Sequence, residues 1–82
     1  MYEVHRDEHV EQQVSALPAE ALAAYAEART VLELQPWAGE PVNAHNPDGP
    51  VRTLVFDGSG LITYLILDDQ RRVEELQVLW IG

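Results

Sequence analysis

The chain begins with two apolar patterns of different period. Apolar and polar residues alternate over residues 2–5, which is typical of a half-buried strand. From Asp7 onward the apolar positions recur at spacings of three and four residues, which predicts an amphipathic helix. Asp7 suits the N-cap, because its carboxylate can accept from free N–H groups in the first turn, and Pro18 ends the helix. The apolar stripe consists of Val10, Val14 and Leu17.

A second, longer helix is predicted for residues 19–34. This segment, AEALAAYAEARTVLEL, is rich in strong helix formers and contains no glycine. Only one or two residues around Pro18 separate the two helices, which indicates a helical hairpin. The pair Gln35-Pro36 stops the second helix. Its inward face is predicted to consist of Ala21, Tyr25, Ala28 and Leu32.

Residues 36–50 are predicted to form a loop. They contain four of the five prolines and two of the five glycines, and both residue types interrupt regular structure. We expect Trp37 and Val42 to attach this loop to the core.

The last third of the chain has the pattern of a sheet. Residues 51–57 alternate, residues 61–67 are apolar on both faces as in a central strand, and residues 73–81 form a third strand. The intervening DGSG and DDQR segments are turn signals, so the three strands are predicted to form an antiparallel meander. Arg52, Leu54 and Phe56 are expected to share one face.

Taken together, these elements predict an α+β fold in the order β-α-α-β-β-β. The helix hairpin is expected to cover one face of a small sheet that ends in the antiparallel meander. Eighty-two residues make one domain, residues 1–82.

The acidic net charge of the chain disfavours some classes of binding partner. Fourteen acidic residues stand against five arginines, there is no lysine, and the formal net charge is −9. This charge argues against binding to nucleic acid or to an anionic membrane, since both would approach against a repulsive field. A basic protein segment would be attracted instead. The chain has no cysteine and its first residues, MYEVHRDE, do not resemble a signal peptide, which favours a cytoplasmic location.

The segment HRDEH, residues 5–9, matches a zinc-hydrolase pattern in which two histidines bind the metal from one helix. The N-cap at Asp7 places His5 on the strand and His9 in the first helical turn, so the motif is broken. We therefore expect no metal. We also expect no cofactor, because DGSG is not followed by the Lys-Ser/Thr pair of a phosphate loop.

The order of elements resembles the RelE/ParE superfamily of bacterial toxin–antitoxin proteins. Members open with a strand and a capped helix ending in Leu-Pro, followed by a long helix closed by proline, as in YEVH, VEQQVSALP and LELQP of this chain. The segments WAGEP and VRTLV resemble the family's glycine-containing loop and its arginine-bearing strand. GLITYLI retains Tyr64 at the place of the family's central-strand tyrosine.

The resemblance implies a toxin-type domain with an antitoxin partner. Several members are ribosome-dependent mRNA endonucleases, and others poison DNA gyrase. This chain departs from the nuclease pattern, because Leu61 and Leu54 stand where arginines are common. Its end, LWIG, lacks the basic and aromatic cluster of those nucleases. Weak or absent ribonuclease activity, with action through protein binding, is the expected function. An active ribosome-dependent endoribonuclease and a non-toxic acidic interaction module are the alternatives.

If the chain cleaves RNA, the candidate catalytic residues are Arg52, Tyr64 and His45. Arg52 could hold the phosphate, Tyr64 could stack on a base or relay a proton, and His45 could act as an acid or base, since histidine is the residue type suited to proton transfer near neutral pH. Each also has a structural interpretation. Arg52 could pair with a glutamate on the surface, Tyr64 could be a core aromatic, and His45 could be an exposed loop residue.

The candidate partner-binding residues lie late in the chain. Trp80 and Ile81 could anchor a hydrophobic contact, or they could close the core. Arg71 and Arg72 could contact the partner, or they could belong to a solvated turn. The expected partner is a small antitoxin-like protein or another basic segment, and a second copy of the chain is an alternative.

Overall fold

The structure is a computed structural model that describes residues 1–81, and it confirms the predicted α+β fold. Two short 3-10 turns, Pro36–Ala38 and Asp68–Gln70, interrupt the regular elements. The helices are α1 (Glu8–Ser15) and α2 (Ala19–Leu34). The strands are β1 (Glu3–Arg6), β2 (Glu40–Pro41), β3 (Val51–Phe56), β4 (Gly60–Leu67) and β5 (Arg72–Trp80).

The five strands form one sheet in the order β1-β5-β4-β3-β2. The predicted meander occupies its middle, since β3–β4 and β4–β5 are antiparallel pairs. The opening strand β1 adds to the meander in parallel beside β5. A β-bulge shifts the β4–β5 register between Thr63 and Tyr64. Both helices pack on one face and leave the other face of the sheet open.

The first helix begins as its sequence predicts. The Asp7 carboxylate accepts a hydrogen bond of 2.9 Å from the backbone N–H of Val10. Capping of this kind satisfies a donor that has no partner within the helix, and it contributes about 1 kcal/mol. The apolar stripes of α1 and α2 then meet the helix-facing side of the sheet. The buried core includes Val10, Ala21, Leu32, Ile62 and Val73.

The segment 36–50 differs from the predicted loop. It begins with a 3-10 turn and contributes β2, a two-residue strand that pairs with β3. The expectation for Val42 was wrong, because this side chain is exposed, and Trp37 is only partly covered. Pro36, at the start of the segment, is fully buried.

Within residues 1–81, no helix has both the length and the apolar character that a membrane crossing requires.

Candidate functional site

Arg52 lies in β3 on the helix-facing side and is only 8% exposed. Its guanidinium donates four hydrogen bonds to backbone carbonyls, and the Trp37 ring centroid lies 4.8 Å from its central carbon. All four carbonyls belong to residues 36–50, so Arg52 joins that segment to the sheet. The interpretation as a surface residue paired with a glutamate is wrong. The acceptors are Trp37 at 3.3 Å, Gly39 at 2.9 Å, Pro47 at 2.6 Å and Gly49 at 3.1 Å.

Tyr64 lies directly opposite Arg52 in the β3–β4 register, and its side chain is fully buried. Its hydroxyl donates a hydrogen bond of 2.6 Å to the carbonyl oxygen of Pro36. Burial raises the pKa of the Tyr64 phenol above its usual range. A phenol without exposed surface cannot stack on a base in this conformation, so the structure places Tyr64 in the core.

His45 lies on the exposed part of the 36–50 segment. Its backbone N–H donates to the Asn43 side-chain oxygen at 2.9 Å, which forms a local turn. The structure therefore brings Arg52 and Tyr64 together as neighbours. Among the described residues, no hydrogen bond joins His45 to either of them.

The two consecutive arginines have different environments. Arg71 has a positive φ of 52° and lies over the ring of Tyr2, with 4.4 Å between its central carbon and the ring centroid. Arg72 begins β5 on the open side and forms an ion pair with Glu74.

Asp68, three residues before Arg71, accepts hydrogen bonds from Tyr2 Oη and, at 3.1 Å, from the indole N–H of Trp37. The bond from Tyr2 is the main cause that lowers the pKa of Asp68.

Trp80 and Ile81 differ in exposure. The Trp80 ring stacks on Phe56, with 6.1 Å between the centroids, and packs against the core. Ile81 is 91% exposed, although its backbone N–H is bonded to the Ser59 carbonyl at 3.1 Å. Ile81 is therefore the more accessible of the two predicted anchors.

The open face of the sheet carries an apolar patch that the sequence analysis did not identify as a site. Val55, Leu61 and Leu79 are successive cross-strand neighbours on β3, β4 and β5. Val55 is 62% exposed and Leu79 is 44% exposed. Ile81 directly follows β5, and its N–H bond to the Ser59 carbonyl continues the β4–β5 pairing, so continued alternation assigns Ile81 to the same side as Leu79. The sequence indicated the exposure of Val55, because the alternation along residues 51–57 places Val55 on the face opposite to Arg52, Leu54 and Phe56. We call Val55, Leu61, Leu79 and Ile81 the apolar patch.

The two positions at which the resembled family often has arginines are not equivalent in this structure. Leu61 belongs to the apolar patch, whereas Leu54 faces the helices and packs against the core. An arginine at the Leu61 position would face the open side of the sheet.

A buried carboxylate lies beneath the helices. Glu75 is 2% exposed, and both of its oxygens accept from the Tyr25 hydroxyl, at 2.7 and 2.9 Å. The same hydroxyl accepts a hydrogen bond of 3.0 Å from Arg6 Nη1. Burial raises the pKa of the Glu75 carboxyl above its usual range, and the Tyr25 hydrogen bond and the Arg6 charge oppose this rise. The sequence indicated the burial of Glu75 through the two-residue period of a strand, because that period places Glu75 on the same side as the inward-facing Val73.

The buried Glu75 predicts a pH dependence of stability. The pKa of Glu75 in the folded protein lies above the unfolded value of 4.5. Between the unfolded pKa and the folded pKa, the folded protein therefore binds more protons than the unfolded chain does. The resulting stabilisation is complete below the unfolded pKa and is lost as the pH rises through the folded pKa. In Glu75→Gln, which stays neutral and retains an acceptor for Tyr25, we expect the free energy of unfolding to fall less over this window.

Urea unfolding between about pH 4 and about pH 8 measures this difference. Glu74→Gln, on the open side of the same strand, is the matched control and should retain the wild-type profile over the window of Glu75. Parallel profiles for Glu75→Gln and the wild type would contradict the assignment.

The HRDEH motif is divided between two elements. His5 lies on β1, where its ring contacts the Glu3 carboxylate, and His9 lies on α1 after the Asp7 cap. Among residues 1–81, no group of three histidine or acidic side chains is placed to hold a metal ion.

Comparison with solved structures finds this fold in RelE toxins and in RelBE complexes. No family model matches the sequence, and no curated protein matches it. The intact RelBE toxin–antitoxin complex of E. coli has a TM-score of 0.80 at 13% identity, covering 100% of this chain and 99% of the other. The RelBE2 complex of Mycobacterium tuberculosis has a TM-score of 0.81 at 24% identity, covering 98% of both chains. The isolated E. coli RelE toxin has a TM-score of 0.81 at 13% identity, covering 100% of this chain and 86% of the other.

At these identities the likeness concerns the fold, and it agrees with the element order in the sequence. The superpositions cover 98–100% of this chain, so the likeness extends over its helical hairpin and its five-stranded sheet. The chain therefore has the fold of the RelE toxins.

Proposed function

We propose that this chain is the RelE-like component of a toxin–antitoxin pair that acts through protein binding, with weak or no ribonuclease activity. Two of the structures that it resembles are toxin–antitoxin complexes, from E. coli and from M. tuberculosis. That likeness supports a small antitoxin-like protein as the partner.

The main argument against RNA cleavage is that the Arg52 guanidinium is already bonded to backbone carbonyls of this chain. Cleavage requires cations that stabilise the negative charge building on the phosphate. The Arg52 guanidinium is buried and already donates to four backbone carbonyls. Tyr64 is buried beside it, and Leu61 occupies the open face. A net charge of −9 further opposes the approach of RNA.

The apolar patch is the surface that we assign to the partner. It is exposed, it includes the predicted anchor Ile81, and Asp57 follows Val55 by two residues. An acidic protein with an apolar patch is complementary to a basic amphipathic segment, because apolar burial supplies affinity and charge speeds encounter. Trp80 supports the patch from the core side of the sheet. Arg71 and Arg72 lie at the opposite end of β5 and are secondary contact candidates.

Two assays test this function. Purified protein is incubated with translating ribosomes and mRNA, and cleavage is mapped by primer extension; we expect no specific cleavage. Specific cleavage would establish the alternative of an active endoribonuclease. In the second assay, the gene neighbourhood is searched for a small antitoxin-like protein, which is purified and titrated against the chain, and we expect saturable binding. Failure of that protein to bind would favour a non-toxic acidic module and overturn the proposal.

Variants identify the surface that is used. Ile81→Asp adds a charge to the apolar patch and should weaken partner binding by about tenfold or more, which corresponds to about 1.4 kcal/mol. Leu34→Asp is the matched control, because Leu34 is an exposed apolar residue at the end of α2. Equal losses in both variants would show that the partner does not select the apolar patch.

A further inference from the structure

A groove of about 230 Å³ lies between α2 and the end of β3, next to the apolar patch. Its lining is buried at Ala28 of the helix and at Phe56 of the strand. It is more exposed at Val31, which is 37% exposed, and at Val55, which is 62% exposed. Val55 also belongs to the apolar patch, so the groove and the patch are continuous at that residue.

Two carboxylates line the same groove. Glu27 belongs to α2, Asp57 directly follows β3, and both residues are exposed. Neither of them forms an ion pair with any residue from 1 to 81. The other six described lining residues are apolar, and none of them is basic. The groove is therefore an apolar surface with two acidic side chains whose charge is not compensated by a neighbouring cation.

The chain has no cation of its own at this groove. It contains no lysine, and its five arginines are all placed elsewhere. Arg6 binds Glu11, Arg29 binds the Val4 carbonyl, Arg52 binds carbonyls of residues 36–50, Arg71 lies over Tyr2, and Arg72 pairs with Glu74. A cation that pairs with Glu27 and Asp57 therefore has to come from another molecule.

The apolar lining and the two carboxylates together favour a long basic side chain as the ligand. Arginine and lysine lay their methylene stems on apolar surface and keep their charged heads in water. The guanidinium of arginine has five N–H donors and is more weakly hydrated than an ammonium group, so it suits two acceptors at once. An anionic ligand would be repelled by both carboxylates and by the net charge of −9.

We propose that this groove binds one arginine side chain of the protein partner, with its stem on Ala28, Val31 and Phe56. Its guanidinium pairs with Glu27 and Asp57. The inference deepens the partner assignment and rests on the proposed function for the identity of the partner. It adds a specific charged contact to the apolar patch, and it predicts that the partner's binding segment carries an arginine close to its apolar anchors.

A matched pair of peptides tests the groove on the wild-type protein. One peptide has the sequence Leu-Ala-Arg-Ala-Leu with blocked ends. The other has citrulline, a neutral residue of nearly the same shape, in place of arginine. The backbone amide signals of Ala24, Ala28, Val31 and Leu54 are followed by nuclear magnetic resonance. We expect saturable shifts with the arginine peptide, with a Kd of about 1 mM or lower, and about fivefold weaker binding of the citrulline peptide.

Two conservative substitutions locate the contact. Glu27→Gln and Asp57→Asn should each reduce the preference for the arginine peptide about twofold, and the double variant should bind both peptides about equally. Asparagine is used because Asp57 has a φ of 53°, which asparagine tolerates. Glu33→Gln is the matched control, since it removes the same charge from α2 but lines the groove that contains Arg6 and Arg29. An equal effect in this control would show general electrostatic attraction and would contradict the proposed site.

The outcomes distinguish this groove from the proposed function. Equal binding of the two peptides by the wild-type protein, or the absence of shifts at the groove, would overturn the arginine site and leave the partner assignment standing. Neither result requires a variant to fold. Selective binding of the arginine peptide, combined with failure of the antitoxin-like protein to bind, would support the arginine site and overturn the proposed partner.

Discussion

Replacement of Arg52 by methionine is expected to lower the free energy of unfolding by about 3 kcal/mol or more. The guanidinium binds four carbonyls, and its bonds to Gly39 and Gly49 are buried. Methionine fills a similar length but donates nothing, so these carbonyls would be left unpaired away from water. A domain of this size has a total stability of only about 5–10 kcal/mol. The expected loss is therefore a large part of the whole.

Urea unfolding and hydrogen exchange measure this loss. The amides of Val42 and Ile66, which bond to the carbonyls of Val51 and Pro50, should exchange faster because the 36–50 segment is released. Arg71→Met is the matched control, since Arg71 also lies over an aromatic ring but at the surface. We expect it to cost less than about 1 kcal/mol. Equal costs at the two positions would show that the carbonyl contacts of Arg52 are unimportant.

Alanine at position 39 is expected to destabilise the protein by about 2–3 kcal/mol. A Cβ at this position would overlap the Tyr64 hydroxyl and would lie 2.7 Å from the carbonyl oxygen of Thr53. Neither neighbour can move easily, because Tyr64 is fully buried and Thr53 is part of the sheet. Glycine is required at this position by the close approach of the turn to the sheet.

Gly58→Ala separates this steric effect from the general effect of losing a glycine. Gly58 has a φ of 70°, and no atom lies within 4 Å of the position of an added Cβ. Its substitution should cost about 1 kcal/mol, from backbone strain alone.

Adding Tyr64→Phe to Gly39→Ala removes one of the two overlaps. The double variant should therefore be more stable than the sum of the single effects predicts. Strict additivity would contradict the proposed overlap.

Loss of activity in an Arg52 variant would not by itself show that Arg52 binds phosphate. Arg52 was a candidate for phosphate binding, and loss of a function in Arg52→Ala would ordinarily support that role. Since the side chain holds residues 36–50 on the sheet, the same loss would follow from local unfolding. Unfolding measurements must accompany any assay of this variant.

The fold was predictable because its signals are local. A capping residue, a helical apolar stripe, proline stops and strand alternation each act within a few residues, and the structure contains the corresponding elements. The turn signals were similarly sufficient to predict the antiparallel meander. The element order, together with short motifs such as Leu17-Pro18 and Tyr64, was enough to indicate the RelE-like fold.

The candidate site was less predictable because its contacts are distant in the sequence. Tyr25 binds Glu75 across 50 positions, and Tyr64 binds Pro36 across 28. Exposed residues of β3, β4 and β5 become one apolar patch only when the register aligns them. A single-sequence pattern can place such residues on a face, but it does not identify the partner of each polar atom.

The amino-acid sequence by itself determined the helices, the meander, the N-cap and the strongly acidic charge. Period, propensity and composition are properties of short segments, and they do not depend on the final packing. Only the tertiary structure decided that Arg52 is held by backbone carbonyls, that Tyr64 is enclosed, and that Glu75 is buried against the Tyr25 hydroxyl. A buried polar group must find its partners wherever the folded chain brings them, and that depends on the packing of the whole chain.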